Sequence, residues 1–328
     1  MNSAIKKILV IRLSSLGDIL LTTPVLRALK KKFIESEIDF LTRESYADAI
    51  NFNQNLNEVL FYEKYENTKD LIKVLQNKNY NFVVDLQNNF RSKKIISNLN
   101  IKKYKYKKSN IEKFLLVNIK INLLKNYKTI PEKYAESIPD LHLNKNGLEL
   151  FIPKNINPQI EGNNLIGFCP GSRHFTKMWL EEYFVELGNK LSAEGYNVVL
   201  FGGESDIEVC NRISNKIFGA VNLSNKNNLL QTAADMKMCK LIVCNDSGLM
   251  HTATAVGVPV AAIFGSTVKE FGFSPYNSRS LIIENNSLSC RPCSHIGRDK
   301  CPKKHFNCMR ELTPTIVNEQ LINYLRKI

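Results

Sequence analysis

No stretch of the 328-residue chain approaches the ~18–20 consecutive apolar residues of a membrane-spanning helix. The first residues run straight into a strand-like segment with no apolar leader core, so a cytoplasmic protein is expected. Tryptophan is nearly missing: the single Trp179 is read as a core side chain rather than a platform for a base. No G-x-G-x-x-G fingerprint occurs, so a dinucleotide site is not supported. No short-period repeat is present, which excludes a solenoid. Acidic residues are in deficit, with 31 Asp and Glu against 45 Lys and Arg, a net charge of +14. An anionic partner follows: nucleic acid, an anionic membrane face or a phosphorylated substrate. A lysine-, asparagine- and isoleucine-rich composition produced by codon bias accounts for the same charge without function. Hydrophobic residues at 44% and charged residues at 23% exclude a disordered or fibrous chain. The length is twice the ~150-residue domain prior, which predicts two domains.

What is present is alternation. Ile5–Ile11 is a β-branched apolar run that leads through Ser14-Ser15-Leu16-Gly17-Asp18 into a helical pattern with Leu20, Val25, Leu26, Leu29 and Phe33 on one face. Strands are expected near Ile38–Leu41, Val59–Tyr62 and Phe82–Leu86, with helices near 46–51, 69–77 and 89–99. Between 151 and 164 the pattern lapses into Pro, Asn and Gly, which marks a linker. Alternation then resumes with strands near Leu165–Cys169, Asn197–Phe201, Leu241–Cys244 and Pro259–Phe264 and helices between them. A last helix opens at Thr313 with Pro314 at its first position. Each half reads as a doubly wound α/β unit with a parallel sheet, and ligands are expected in a cleft between the carboxyl ends of the two sheets.

Four constellations carry chemistry. Asp18 sits where a strand gives way to a helix, as a general base or as a helix cap. Pro170-Gly171-Ser172-Arg173 with Lys177 suits a phosphate-bearing ligand, or is a charged surface loop. Asp246, Ser247, Gly248 and His251 occupy the next strand-to-helix turn, where free amides hold a diphosphate; an N-cap and a core histidine are the plainer reading. Cys290-x2-Cys293-x7-Cys301-x6-Cys308 fits a structural zinc site or a set of free or redox-paired thiols, while Cys169, Cys210, Cys239 and Cys244 are expected in the core. Residues 91–113 hold nine Lys and Arg against Glu112 alone, a basic stretch suited to nucleic acid, to an anionic membrane or simply to solvent.

Together, Arg12-Leu13-Ser14-Ser15-Leu16-Gly17-Asp18, Pro170-Gly171-Ser172 with Lys177-Met178-Trp179, Phe201-Gly202-Gly203-Glu204 and Asn245-Asp246-Ser247-Gly248-Leu249-Met250-His251 resemble glycosyltransferase family 9. These are the ADP-heptose:lipopolysaccharide heptosyltransferases. The cysteine-rich stretch and Leu312-Thr313-Pro314 resemble the heptosyltransferase II-like branch. The resemblance implies a GT-B fold, with an acceptor-binding Rossmann-like domain over 1–155, a nucleotide-sugar-binding domain over 156–310 and a final helix, 311–328, returning to the first domain. It makes Asp18 the base that activates the acceptor hydroxyl for inversion at the heptose. Lys177, helped by Ser172 and Arg173, meets the departing diphosphate. Asp246, Ser247, Gly248 and His251 hold diphosphate and sugar, and Glu204 contacts the ribose.

The implied partners are ADP-heptose, a lipid A-core acceptor and the inner face of the cytoplasmic membrane, with no nucleic acid. Arg12, Arg91, Lys102, Lys103, Lys105 and Lys107 are the expected contacts to acceptor or membrane. No cofactor is required for catalysis on this reading, structural zinc is an option and a magnesium requirement stays open. The alternatives are a GT-B transferase using another nucleotide sugar and, more distantly, a zinc-stabilised nucleic-acid-binding protein.

Overall fold

A computed structural model describes residues 5–65 and 67–328. Two α/β units emerge, one over 1–108 and 128–151, the other over 109–127 and 152–328. In the first, strands β1 (Lys7–Ile11), β2 (Glu37–Thr42), β3 (Glu58–Phe61), β4 (Phe82–Asp85) and β5 (Lys102–Lys105) form a parallel sheet in the order β3-β2-β1-β4-β5. Central β1 and β4 are continuous apolar runs, as strands covered on both faces must be. One covering layer joins Leu71, Leu75, Ile95 and Ile96 to Leu9, Ile11 and Val83.

The second unit contains β6 (Leu165–Cys169), β7 (Asn197–Leu200), β8 (Val221–Asn222), β9 (Leu241–Asn245), β10 (Val260–Phe264) and β11 (Ser280–Glu284). Their order, β11-β10-β9-β6-β7-β8, is all parallel and reverses direction between β6 and β9. That reversal is the switch point at which open α/β sheets bind ligands. Two apolar clusters cover the faces of this sheet, one around Phe168, Trp179 and Phe184, the other around Phe201, Met250 and Phe264.

Several elements differ from the sequence expectation. The segment over 46–51 is a 3-10 turn, Glu44–Ala49, and β5, β8 and β11 were not anticipated. The basic stretch divides into the helix Phe90–Ser97, edge strand β5 and the start of helix Asn110–Asn118, which belongs to the second unit. On β5, Lys102 and Lys105 are exposed while Tyr104 packs edge-on against Phe82 at 5.2 Å. Lysines on an outermost strand block further strand pairing, which gives these charges a structural reason.

The last helix, Pro314–Leu325, is capped by Thr313 as expected, but it stays with the second unit. Its Val317 and Leu321 are fully buried in the cluster that contains Phe184 and Leu187 of helix Glu181–Ala193. Val317 and Leu321 bury against that surface, which gives the helix its place in the second unit. No helix among the described residues is long and apolar enough to cross a membrane.

Candidate active site

In the first unit, β1 ends at Ile11 and extended Ser15 opens the one-turn helix Leu16–Leu20. That turn brings Asp18 back over its cap: Oδ2 accepts from the Ser15 amide at 3.2 Å and from the Ser15 hydroxyl at 2.8 Å. Oδ1 pairs with Arg12 Nη2 at 2.7 Å. Arg12 is buried, donating through Nε to the Ser14 carbonyl at 2.7 Å and through Nη1 to the Leu86 carbonyl at 2.6 Å. Its guanidinium lies 5.8 Å from the centre of the buried Tyr134 ring. Burial opposes the Arg12 charge, but Tyr134 and Asp18 outweigh it and hold its pKa above the ordinary arginine value. A carboxylate has about four acceptor sites; Ser15 and Arg12 take three of those on Asp18, and the buried Tyr134 hydroxyl also faces it.

Arg12 is buried, unlike the exposed lysines of the basic stretch, and three of its five N–H donors are engaged by Asp18, Ser14 and Leu86. Arg91 and Lys107 are exposed, as a contact role requires. The sequence reading did not single out Lys108. Partial burial and repulsion from Arg12 lower its pKa, against the attraction of Asp85 and Asp18. Its only sequence signal was membership of the basic run.

In the second unit the loops after β6, β9 and β10 converge. Asn245 ties two of them, donating to the Pro170 carbonyl at 2.7 Å and accepting from the Trp179 amide at 3.0 Å. Lys177, at the end of the turn Phe175–Lys177, pairs with Asp246 Oδ2 at 2.8 Å. Thr267, beyond β10, donates to the same oxygen at 2.7 Å. Ser172 reaches the Asp246 carbonyl at 3.5 Å. Ser247 starts helix Gly248–Ala255 with its hydroxyl buried and no hydrogen-bond partner, and His251 is buried one turn on.

Glu204 is exposed after β7 and accepts from Asn227 at 3.3 Å. Arg173 is exposed on its loop and makes no ion pair among the described residues. Gly171 is needed for close approach, since a Cβ there would lie 2.2 Å from Asp206 Oδ1. Burial raises the Asp206 carboxyl against hydrogen bonds from Gly203 and Ser205. Thr267 and Asp206 were missed because each is far in sequence from the motif it touches. Their position just past a strand's carboxyl end was the available signal.

The cysteine-rich stretch frames this site. Buried Arg291 donates to the carbonyls of Phe264, Gly265 and Thr267 at 3.2, 2.6 and 3.0 Å and pairs with Glu284 at 2.8 Å. The Arg298 amide donates to Thr176 Oγ1 at 2.8 Å, next to Lys177. Among the described residues no three His, Cys, Asp or Glu side chains are grouped as metal ligands, although Cys290, Cys293 and Cys301 all lie near enough to Cys308 to act on its thiol. Cys290 Sγ lies 3.9 Å from His305 Nε2, while Cys308 is turned into the core with its thiol pushed up to about 12 by burial. The other four cysteines are buried, as expected.

Residues 68–304, more than two thirds of the chain, match the profile of glycosyltransferase family 9 (heptosyltransferase). The chain belongs to glycosyltransferase family 9. This glycosyltransferase is 28% identical over 324 residues to lipooligosaccharide heptosyltransferase 2 of Campylobacter jejuni, a match spanning 95% of this chain and 96% of that protein. Among solved structures, a family 9 glycosyltransferase from Veillonella parvula aligns with a TM-score of 0.79 at 22% identity, over 100% of this chain and 99% of that one. The Escherichia coli ADP-heptose lipopolysaccharide heptosyltransferase II aligns with a TM-score of 0.73 at 24% identity, over 98% and 99%. The expected GT-B fold, with its two parallel-sheet Rossmann-like units, is borne out.

Proposed function

We propose that this glycosyltransferase moves L-glycero-D-manno-heptose from ADP-heptose to the inner core of a lipid A-linked acceptor, with inversion, at the inner face of the cytoplasmic membrane. The observation that carries the reading is family membership joined to near full-length similarity to a heptosyltransferase 2. The acceptor hydroxyl gives its proton to Asp18 while its oxygen bonds to the anomeric carbon. The bond from that carbon to the diphosphate oxygen breaks, and its electron pair leaves with ADP. Arg12 and Ser15 hold Asp18 in one orientation, so little reorganisation accompanies proton transfer.

On the donor side Lys177 meets the charge that develops on the diphosphate, with the amides of the turn at Ser247 and Gly248. Asp246 is a positioning residue for Lys177 on this reading, because its Oδ2 is already shared by Lys177 and Thr267. Ser172, Arg173 and His251 complete the donor contacts and Glu204 takes the ribose. The charge is met by side chains and amides, so no resident metal is assigned to the step.

The test is transfer from ADP-heptose to truncated lipopolysaccharide acceptors by the unmodified protein and by Asp18→Asn. Turnover is expected to fall by roughly 10²–10⁴ with ADP affinity retained. Full activity in Asp18→Asn would remove Asp18 from the mechanism. Turnover only with another nucleotide sugar would overturn the donor.

A further inference from the structure

Five of the fifteen large apolar side chains exposed among the described residues fall between 111 and 123, a density that scattered surface residues do not show. The helix Asn110–Asn118 is anchored to the second unit on one side, where Leu116 and Leu124 join Phe271 in a buried cluster. Lys113 covers that join, 5.9 and 5.4 Å from the ring centres of Phe271 and Phe273. The other face presents Ile111 at 73% and Phe114 at 63% exposure, and the chain continues with Ile119, Ile121 and Leu123, each half exposed or more.

The cysteine-rich loop lies alongside. Lys120 donates to the Cys290 and Pro292 carbonyls at 3.1 and 2.6 Å and feels the Lys303 charge. His295 has its pKa lowered by burial and by Lys113, and its neighbour Ile296 is 57% exposed. Across 109–127 and 294–306 there are seven lysines and arginines against Glu112 and Asp299.

We propose that this ridge is a membrane-docking element: Ile111, Phe114, Ile119, Ile121, Leu123 and Ile296 enter the headgroup region of an anionic bilayer, and the surrounding lysines hold the lipid phosphates. An apolar face rimmed by flexible cations is the signature of a helix that lies in the interface plane. The positive rim selects an anionic lipid surface over a second copy of this chain, which would bring like charges together. The inference rests on the proposed lipid-linked acceptor, which would be presented at that surface. It also moves the expected membrane contact from Lys102, Lys103 and Lys105 on the sheet edge to the segment that follows them.

The test is flotation with vesicles of phosphatidylcholine containing a quarter phosphatidylglycerol. The proteins compared are the unmodified chain, an Ile111→Ser, Phe114→Ser, Leu123→Ser variant and a Lys125→Glu, Lys303→Glu, Lys304→Glu variant. All six positions are exposed, so both variants are expected to fold, checked by circular dichroism. The apolar variant should bind vesicles at least about tenfold more weakly, and the charge variant should lose its dependence on phosphatidylglycerol. Transfer to a de-acylated, water-soluble acceptor should be unchanged in both. Unaltered vesicle binding in the apolar variant overturns the proposal. So does sedimentation showing a dimer that the apolar variant dissociates, which assigns the ridge to a second copy. The vesicle arm is read independently of heptose chemistry, so failure of the unmodified protein on the soluble acceptor counts against the function and not against docking.

Discussion

Replacing Arg12 by methionine removes the one side chain that joins the ends of β1 and β4 to Asp18. The substitution leaves an unbranched apolar side chain and deletes three charged hydrogen bonds together with the guanidinium's place over the Tyr134 ring. Breaking a buried pair costs about 3–5 kcal/mol, and an exposed pair is worth about 0–1. Asp18 is 18% exposed at its side chain, which places the pair between these limits. The Leu86 and Ser14 carbonyls also lose donors, so we expect a total near 3 kcal/mol. Trp179 reports only the second unit, so hydrogen exchange of the β1 amides is the assay. At about 1.4 kcal/mol per factor of ten, protection of Val10 and Ile11 should fall by roughly a hundredfold if they exchange through opening of the first unit. Turnover should fall at least tenfold as Asp18 loses its orientation, with ADP affinity retained because the donor residues belong to the other unit. Exchange within threefold of the unmodified protein would refute the reasoning.

Gly171→Ala should weaken ADP binding by an order of magnitude or more, since its Cβ would meet the Asp206 carboxylate; calorimetry showing unchanged affinity would contradict this. Asp85 is buried, and its carboxyl is raised by burial against hydrogen bonds from Asn88, Ser92 and Gln87. The native state therefore holds this proton more tightly than the unfolded chain does. Its contribution is most favourable below the unfolded value of about 4 and declines as pH climbs through the raised one. Asp85→Asn should thus be at least as stable at pH 7 in urea unfolding, with its advantage shrinking toward pH 4. An advantage that grew in acid would reverse the sign. With its thiol near 12, Cys308 should resist alkylation at pH 8 in the folded protein, as should Cys210 and Cys239, and mass spectrometry finding Cys308 labelled as fast as a free thiol would show that it is not held in the core.

The fold was legible because buried parallel strands are continuous apolar runs, which the eye finds at β1, β4, β6, β9 and β10. Edge strands escape that rule. The sequence Lys-Lys-Tyr-Lys of β5 reads as a charged loop, and only its pairing with β4 makes it a strand. The same logic applies to the site. Asp18, Lys177 and Asp246 lie in compact strand-to-helix turns and were found from local chemistry. The roles of Arg12, Thr267 and Arg291 depend on partners brought close by the sheet order, which no local pattern encodes.

The excursion of 109–127 into the second unit has a consequence for recombination between relatives. The chain leaves the first unit after residue 108, contributes Leu116 and Leu124 to a core with Phe271, and returns at 128 before finally crossing at 152. A chimera cut once at 151 would graft one parent's helix onto another parent's Phe271 surface. If the donor is held by the second unit, as proposed, donor specificity travels as two discontinuous segments with three junctions, and the shorter segment is the one that carries the exposed isoleucines.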